Sequence, residues 1–438
     1  MLKVVKFGGT SMADANQYKK VKAIIDADPS RKVVIVSAAG KRFSDDHKVT
    51  DLLYLCHAHV KYGVDCSNIF DMIAERYISI KNDLGLTIDI ESHLAKIKND
   101  LQNGISKDEL VSRGEYLSAL LMADYLGYRF VDAADWINFE FNGEVNTLVS
   151  YSKLCEVPIG KGIVIPGFYG VMPNGDIRVM SRGGSDITGA LAAAALEADV
   201  YENWTDVPGV LMADPRIVND PKPIKNITYE ELRELSYMGA QVLHEDTVLP
   251  VKERDIPLNI RDTNNPELPG TMILKSFQED EESKNCFITG ITGRKDFIVV
   301  NFIKSGFSTD IGVIRKVCEV FEKHEIPLEY VPSGIDSISV VVSSKAAKKH
   351  IYGIINEIQK TLKPESVDIS ESIAVIAVIG RKMSSRPGTS GRIFGALGEN
   401  GINIRMISQG SDERNIIFGI DNKDYEKTIS VLYDKFVR

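Results

Sequence analysis

Within the first 37 residues the apolar positions change their period twice. Residues 2–7 form a strand-length run broken by Gly8-Gly9-Thr10-Ser11. Residues 13–27 carry apolar side chains three and four apart until Asp28-Pro29 stops them, and residues 32–37 (KVVIVS) are an apolar run. A short continuous run predicts a strand covered on both faces, and the three-to-four spacing predicts an amphipathic helix. Strand, glycine turn, helix, strand opens an α/β domain with a largely parallel sheet. Residues 38–49, with Lys41, Arg42, two aspartates and His47, are polar enough to predict a mobile surface loop. Thr50 is placed as the cap of the next helix. From there to about residue 126 the spacing stays helical, and the last of these helices opens on a capping box, Ser106-Lys107-Asp108-Glu109. Gly114 lies inside that helix at a cost of about 1 kcal/mol relative to alanine, which predicts a close neighbour. Strand signals return at 129–133, 161–166, 176–180 and 199–203, with the alanine-rich run 190–197 as a helix between the last two.

Beyond residue 277 the texture changes. Residues 278–284 (QEDEESK) predict a solvated linker. Strand runs at 297–303, 328–331 and 337–342, with helical runs at 309–324 and 346–362, follow the β-α-β-β-α order of a ferredoxin-like unit. That order recurs at 374–379, 391–400, 404–408, 415–419 and from Asp424, which predicts an internal duplication.

A chain of 438 residues with 44% hydrophobic and 26% charged residues should form two or three globular domains. Its 61 acidic against 52 basic residues argue against nucleic acid or an anionic membrane as a partner. No apolar run approaches the roughly 20 residues that span a bilayer, and residues 1–6 lack the core of a signal peptide. Five scattered cysteines without CxxC spacing predict reduced thiols and a cytoplasmic location. His57 and His59 are two apart, on different helix faces, and predict no metal site.

The strongest local signal is Ser181-Arg182-Gly183-Gly184-Ser185-Asp186-Ile187-Thr188-Gly189, at a strand-to-helix joint. Its glycines let backbone approach a ligand, and the helix start offers free N–H groups and the positive end of the dipole. Arg182 adds a planar fork for carboxylate or phosphate. Taken alone, the stretch is equally an ordinary helix cap.

Six segments resolve that ambiguity together: Lys6 to Ser11 (KFGGTS), Ser112 to Glu115 (SRGE), Arg182 to Asp186, Thr205-Asp206 with Asp214-Pro215-Arg216, Gly239-Ala240 with Val242-Leu243-His244, and Pro269-Gly270-Thr271. With the duplicated unit behind them, they resemble the aspartate kinases over nearly the whole chain. The resemblance implies an amino-acid-kinase three-layer αβα fold with a largely parallel central sheet, followed by two ferredoxin-like (βαββαβ) ACT domains. It implies a catalytic domain at 1–277, a linker at 278–284, a first ACT domain at 296–366, and a second built from 285–295 plus 367–438. The implied reaction moves the γ-phosphoryl group of ATP to the β-carboxylate of L-aspartate, giving 4-phospho-L-aspartate in the first step of lysine, threonine and methionine biosynthesis. Mg²⁺ is expected to be held mainly by the nucleotide phosphates. A carboxylate with a pKa near 3.9 is already an anion at pH 7, so no general base is needed. What the chemistry needs is neutralisation of charge on the transferring group.

By resemblance, Lys6 and Asp186 are catalytic, and Ser11, Thr50, Glu115, Arg182 and Ser185 bind aspartate, with Glu115 on its ammonium. Lys6, Gly8, Gly9, Thr10, Gly184, Thr205, Asp206, Asp214 and Arg216 bind ATP. Asp186 is expected to organise Lys6 and Arg182 rather than accept a proton. In the first ACT domain Ser305, Phe307, Ser308, Thr309, Asp310 and Glu329 would take an inhibiting amino acid, lysine before threonine, and the ACT domains would pair in a homodimer or larger assembly. Gln241, Glu245, Leu211 and Met212 depart from the family pattern by removing a lysine, a proline and a tyrosine near the nucleotide, which predicts altered ATP binding. Two alternatives remain: another amino-acid kinase, such as a glutamate 5-kinase, and a non-catalytic amino-acid sensor on the same fold.

Overall fold

Val4, Val5 and Phe7 are fully buried, so β1 (Lys3–Phe7) has apolar cover on both faces as its run predicts. The computed structural model describes residues 1–181, 183–239, 243, 247–277, 288–381, 383, 386–409 and 414–438. These form two units. The first gathers Met1–Val210, Pro223–Leu232 and Gln241–Phe277; the second gathers Leu211–Lys222, Arg233–Ala240 and Gln278–Arg438.

In the first unit, β1 is joined by β2 (Arg31–Val36), β3 (Arg129–Phe130), β4 (Ile163–Pro166), β7 (Val200–Thr205), β8 (Asn226–Thr228), β9 (Leu258–Asp262) and β10 (Thr271–Leu274), and the strand order is β3-β4-β2-β1-β7-β9-β10-β8. All neighbours are parallel except β9 and β10. The run at 176–180 instead forms β6 (Ile177–Val179), which pairs only with β5 (Tyr169–Val171) outside this sheet. Tyr18, Ile24, Ile73, Tyr77 and Leu117 from the helices Ala15–Asp26, Ser67–Leu84 and Lys107–Leu126 share one core with Val5 and Phe7. The helix Gly184–Ala195 is buried along most of its length, its alanines allowing close approach to β1 and β7.

Ser106 caps its helix by accepting the Glu109 N–H at 3.1 Å, as the capping box predicts. Gly114 has the close neighbour its position predicts: a Cβ there would sit 2.8 Å from Ala38 Cβ. One other expectation is corrected. The helix Val49–Lys61 begins one residue before Thr50, with Lys48 as its N-cap, so Thr50 lies in the first turn. The polar loop 38–49 is exposed at 41–45, 47 and 48, at the surface as its polarity predicts, while Ala38, Ala39, Gly40 and Asp46 are buried. Its polarity conceals an ion pair: Arg76, from a helix 30 residues further on, holds Asp46 at 2.8 Å.

The second unit is built on an antiparallel sheet of β11 (Ile288–Ile303), β12 (Ser337–Ser343), β13 (Ser366–Gly380), β14 (Met406–Ser408) and β15 (Asn415–Asp421), in the order β12-β11-β13-β15-β14. β11 and β13 are longer than the runs that predict them, since each serves both repeats. Residues 297–303 pair with β12 and with 366–373, while 288–294 pair with 375–380. The expected strand at 328–331 is reduced to a bridge between Tyr330 and Val341. The helix expected from 309 starts at Val313, where Gly312 turns the chain at φ 85°. Val317 and Phe321 of that helix (Val313–Lys323) pack with Ile354 and Ile358 of Ile351–Leu362. The second repeat supplies Thr389–Glu399 and Tyr425–Phe436. Among the described residues no helix is long and apolar enough to cross a membrane.

Candidate active site

Alternation along β1 turns Lys6 away from Val5 and Phe7 and sets it opposite Asn203 on β7. Lys6 is 8% exposed, and its Nζ lies 2.6 Å from Asp186 Oδ1. Asn203 Nδ2 donates to the same oxygen at 2.8 Å. Asp186 stands in the first turn of Gly184–Ala195, behind Gly183 at φ 76°, where the helix dipole favours a negative charge. This cluster sits toward the C-terminal ends of parallel strands, the end at which open α/β sheets bind ligands. Asn203 is a residue that sequence reasoning missed. Only the pairing of β1 with β7 puts it beside Lys6, and these strands are almost 200 residues apart.

The glycine loop folds as a short turn, Gly9–Met12, with Gly8 N–H donating to Trp204 O at 3.2 Å. Thr10 Oγ1 donates to Asp206 Oδ2 at 3.2 Å, and Thr205 Oγ1 to Asp206 Oδ1 at 3.3 Å. Ser11 and Thr263 share a hydroxyl hydrogen bond of 3.0 Å, so Thr263 joins the site unannounced by any motif. The structure therefore gathers Lys6, Gly8, Gly9, Thr10, Ser11, Asp186, Thr205 and Asp206 around the ends of β1 and β7. Ser185 and Gly184 lie buried beside Asp186 on the same helix turn.

Glu115 is 5% exposed, and its Oε2 has no hydrogen-bond partner. Burial pushes its carboxyl up to about 8, against a smaller downward pull from the Ala38 N–H. Arg113 does not neutralise it: that guanidinium bonds Ser112 Oγ and Glu109 O and stacks over Tyr116 and Tyr169. A buried carboxyl oxygen with nothing to bond is costly, and a cation is the partner that would relieve it. Thr50 is half-buried in the first turn of Val49–Lys61.

Other expected site residues fall elsewhere. Arg182, Gln241, His244 and Glu245 lie outside the described residues, as do the linker 278–284 and residues 285–287. Asp214 and Arg216 belong to the second unit, where they close on each other with Nη2 to Oδ2 at 2.6 Å. Leu211 and Met212 also belong there, and Met212 O accepts the Ile291 N–H at 2.7 Å.

Of the effector residues, Phe307 is a core side chain at 2% exposure. The loop N–H groups of Ser305 and Gly306 already meet Glu365 Oε1 at 3.0 Å and Asp336 Oδ1 at 2.8 Å, and Ser308 N–H meets Ile335 O. Thr309 Oγ1 donates to Gly306 O, and Asp310 lies 3.6 Å from Lys316. Glu329 accepts from Tyr237 OH at 2.7 Å, with Arg294 Nη1 at 3.5 Å.

The sequence profile of the amino acid kinase family matches residues 1–262, and that of an ACT domain matches residues 376–436. Aspartokinase 3 of Bacillus subtilis is 35% identical over 99% of this chain and 98% of its own. The chain belongs to the aspartokinases of the amino acid kinase family. Among solved aspartokinase structures, that of the Clostridium acetobutylicum enzyme is 45% identical, with a TM-score of 0.91 over 99% of both chains. Aspartokinase III of Escherichia coli, in a complex with lysine and aspartate, is 25% identical, with a TM-score of 0.76 over the full length of both chains.

Proposed function

We propose that in this ATP-dependent aspartate kinase Lys6 neutralises the transferring phosphoryl group, Asp186 holds Lys6 in place, and Glu115 receives the ammonium of L-aspartate. The observation that carries the acceptor assignment is the unpartnered, fully buried Glu115 Oε2. A free ammonium group is the cation that aspartate brings and that an uncharged ligand lacks. Ser11, Thr50 and Ser185 are polar side chains suited to the aspartate carboxylates, and Arg182 joins them by resemblance alone.

Asp186 is a poor candidate for a base, since one oxygen already takes both Lys6 and Asn203. The acceptor carboxylate needs none. Catalysis then consists of positioning and charge neutralisation, with Lys6 keeping two ammonium hydrogens for phosphate oxygens. Gly8, Gly9, Thr10, Gly184, Thr205 and Asp206 form the nucleotide side; Asp214 and Arg216 are added on the resemblance. Mg²⁺ is read, on the family resemblance, as arriving on the ATP phosphates, whose charge it neutralises.

The pairing of 288–294 with 375–380 supports a second ACT domain that takes a strand from ahead of the first. That Escherichia coli aspartokinase III binds lysine supports lysine as the effector here, with Glu329 on its ammonium. The ACT domains are read as the homodimer surface on the family resemblance.

With Mg-ATP and hydroxylamine, the purified protein should form aspartyl hydroxamate from L-aspartate and none from L-glutamate. Lys6→Ala or Asp186→Ala should lower that rate at least about a hundredfold with the fold intact by circular dichroism. A near-normal rate in either variant removes the role given to that residue.

A further inference from the structure

The segment 38–40 joins two parts of the site that no motif connects. At one end, Gly40 N–H donates to Gly9 O at 2.8 Å, and a Cβ on Gly40 would sit 2.5 Å from Gly9 C. At the other, the Ala38 N–H reaches the Glu115 carboxyl, while Ala38 Cβ fills the space left by Gly114. Between them, the Ala39 N–H meets the Tyr77 hydroxyl, and Ala39 O accepts the Val49 N–H at 3.0 Å. The Gly40 carbonyl takes Arg76 Nη1 at 2.9 Å, and the same nitrogen lies 3.5 Å from Ala13 O. The Arg76 side chain is 6% exposed, and its Nη2 grips both Asp46 oxygens at 2.8 and 2.9 Å. Asp46 is in turn held by Arg42 Nε at 2.9 Å.

We propose that Arg76 is a positioning residue: anchored on Asp46, its guanidinium fixes the 38–40 segment and thereby sets the spacing between the glycine loop and Glu115. It touches neither substrate. A buried ion pair contributes little to stability compared with an apolar replacement, and its value lies in fixing one geometry. The planar fork matters, because Nη2 serves Asp46 while Nη1 serves Gly40 O. Lysine has the charge and lacks the second arm. The aspartate part of this inference rests on the reading of Glu115 as the ammonium partner; the glycine-loop part does not.

The test uses Arg76→Lys and Gly40→Ala in the full chain. Gly40→Ala pushes the same segments apart and leaves the ion pair whole, so it reports even where a change at Arg76 impairs folding. In both variants, kcat/KM for aspartate should fall by roughly ten- to a hundredfold, as sub-ångström misplacement of binding groups does. The KM for ATP should rise as well, and it reads the glycine loop independently of Glu115.

In Arg76→Lys the pH at which the aspartate KM improves should also move upward, because a displaced Ala38 N–H no longer favours the ionised Glu115. Among the described residues, the other titratable groups whose charge couples to Glu115 are Tyr54 and Tyr77, both neutral in this range. A merely structural role would lower Tm and the folded fraction and leave both KM values and the profile alone, and that result overturns the proposal. Glu115→Gln run alongside separates the two readings. If it leaves the aspartate KM unchanged, the ammonium assignment fails, and the ATP KM still decides the role of Arg76.

Discussion

Glu115 and Asp186, the two carboxylates of the proposed site, have opposite surroundings. Asp186 has Lys6 and Asn203 on one oxygen, whereas Glu115 is buried with an oxygen bare. The consequence is a pH dependence with a definite sign. Burial holds the Glu115 carboxyl at about 8, so it is protonated in the free enzyme below that pH. In the proposed role an ammonium ligand needs it ionised, and aspartate would have to displace a proton. The aspartate KM should fall as pH rises from 6 to 8, by up to about tenfold per unit, and level off above 8. Stability runs the other way. The unfolded carboxyl ionises at 4.5, so between 4.5 and about 8 the folded state binds more protons than the unfolded state, and stability declines as pH rises through that window. Steady-state KM and thermal melting across pH 5–9 check both limbs. Glu115→Gln should abolish the KM trend and remove this decline in Tm; a KM trend that persists in the variant would assign it to another group.

At the scale of elements, the helix Lys107–Leu126 was legible in nearly every detail: its capping box, its length, and the close neighbour at Gly114. That neighbour yields a contrast between two helical glycines. Alanine ordinarily stabilises a helix interior by about 0.5–1 kcal/mol over glycine. Gly395, inside Thr389–Glu399, has open space where its Cβ would go, so Gly395→Ala should raise the denaturation midpoint. At Gly114 the new methyl would meet Ala38 Cβ at 2.8 Å and Leu53 Cδ1 at 3.3 Å, so Gly114→Ala should cost about 1–3 kcal/mol. Urea unfolding of both variants tests the pair, and equal shifts would refute the packing argument. Periodicity found β1, β2, β7 and the repeated ACT order because each is a local pattern. It missed what depends on partners distant in sequence. The ion pair inside loop 38–49 went unread because Asp46 finds Arg76 only in the fold. β11 and β13 read as shorter strands because a register shift between Arg294 and Phe297, and not a turn, divides the repeats. Asn203 and Thr263 carry no motif at all, and enter the site through strand register and a single hydroxyl contact.

On the scale of the whole molecule, the effector site proposed above draws on a segment that sequence order alone would assign to the catalytic domain. Arg233–Ala240 groups with the ACT sheet, and from it Tyr237 donates to Glu329, the residue given the effector ammonium. Burial together with Glu329 pushes the Tyr237 phenol up to about 12, so it remains a donor at all physiological pH values. The second partner of Glu329, Arg294, stands 3.5 Å away, a distance at which a charge pair is loose and readily exchanged. A lysine ammonium can therefore join Glu329 by displacing Arg294, with the tyrosine bond left in place. Threonine carries no side-chain cation and gains nothing from a free carboxylate at that point. Millimolar L-lysine should accordingly lower the steady-state rate, with L-threonine much weaker. Glu329→Ala removes a charged hydrogen-bond partner worth about 1.5–3 kcal/mol, so it should raise the half-inhibiting lysine concentration about tenfold or more, measured against its own uninhibited rate. Inhibition by threonine with none by lysine would sink the assignment, as would undiminished lysine inhibition in Glu329→Ala.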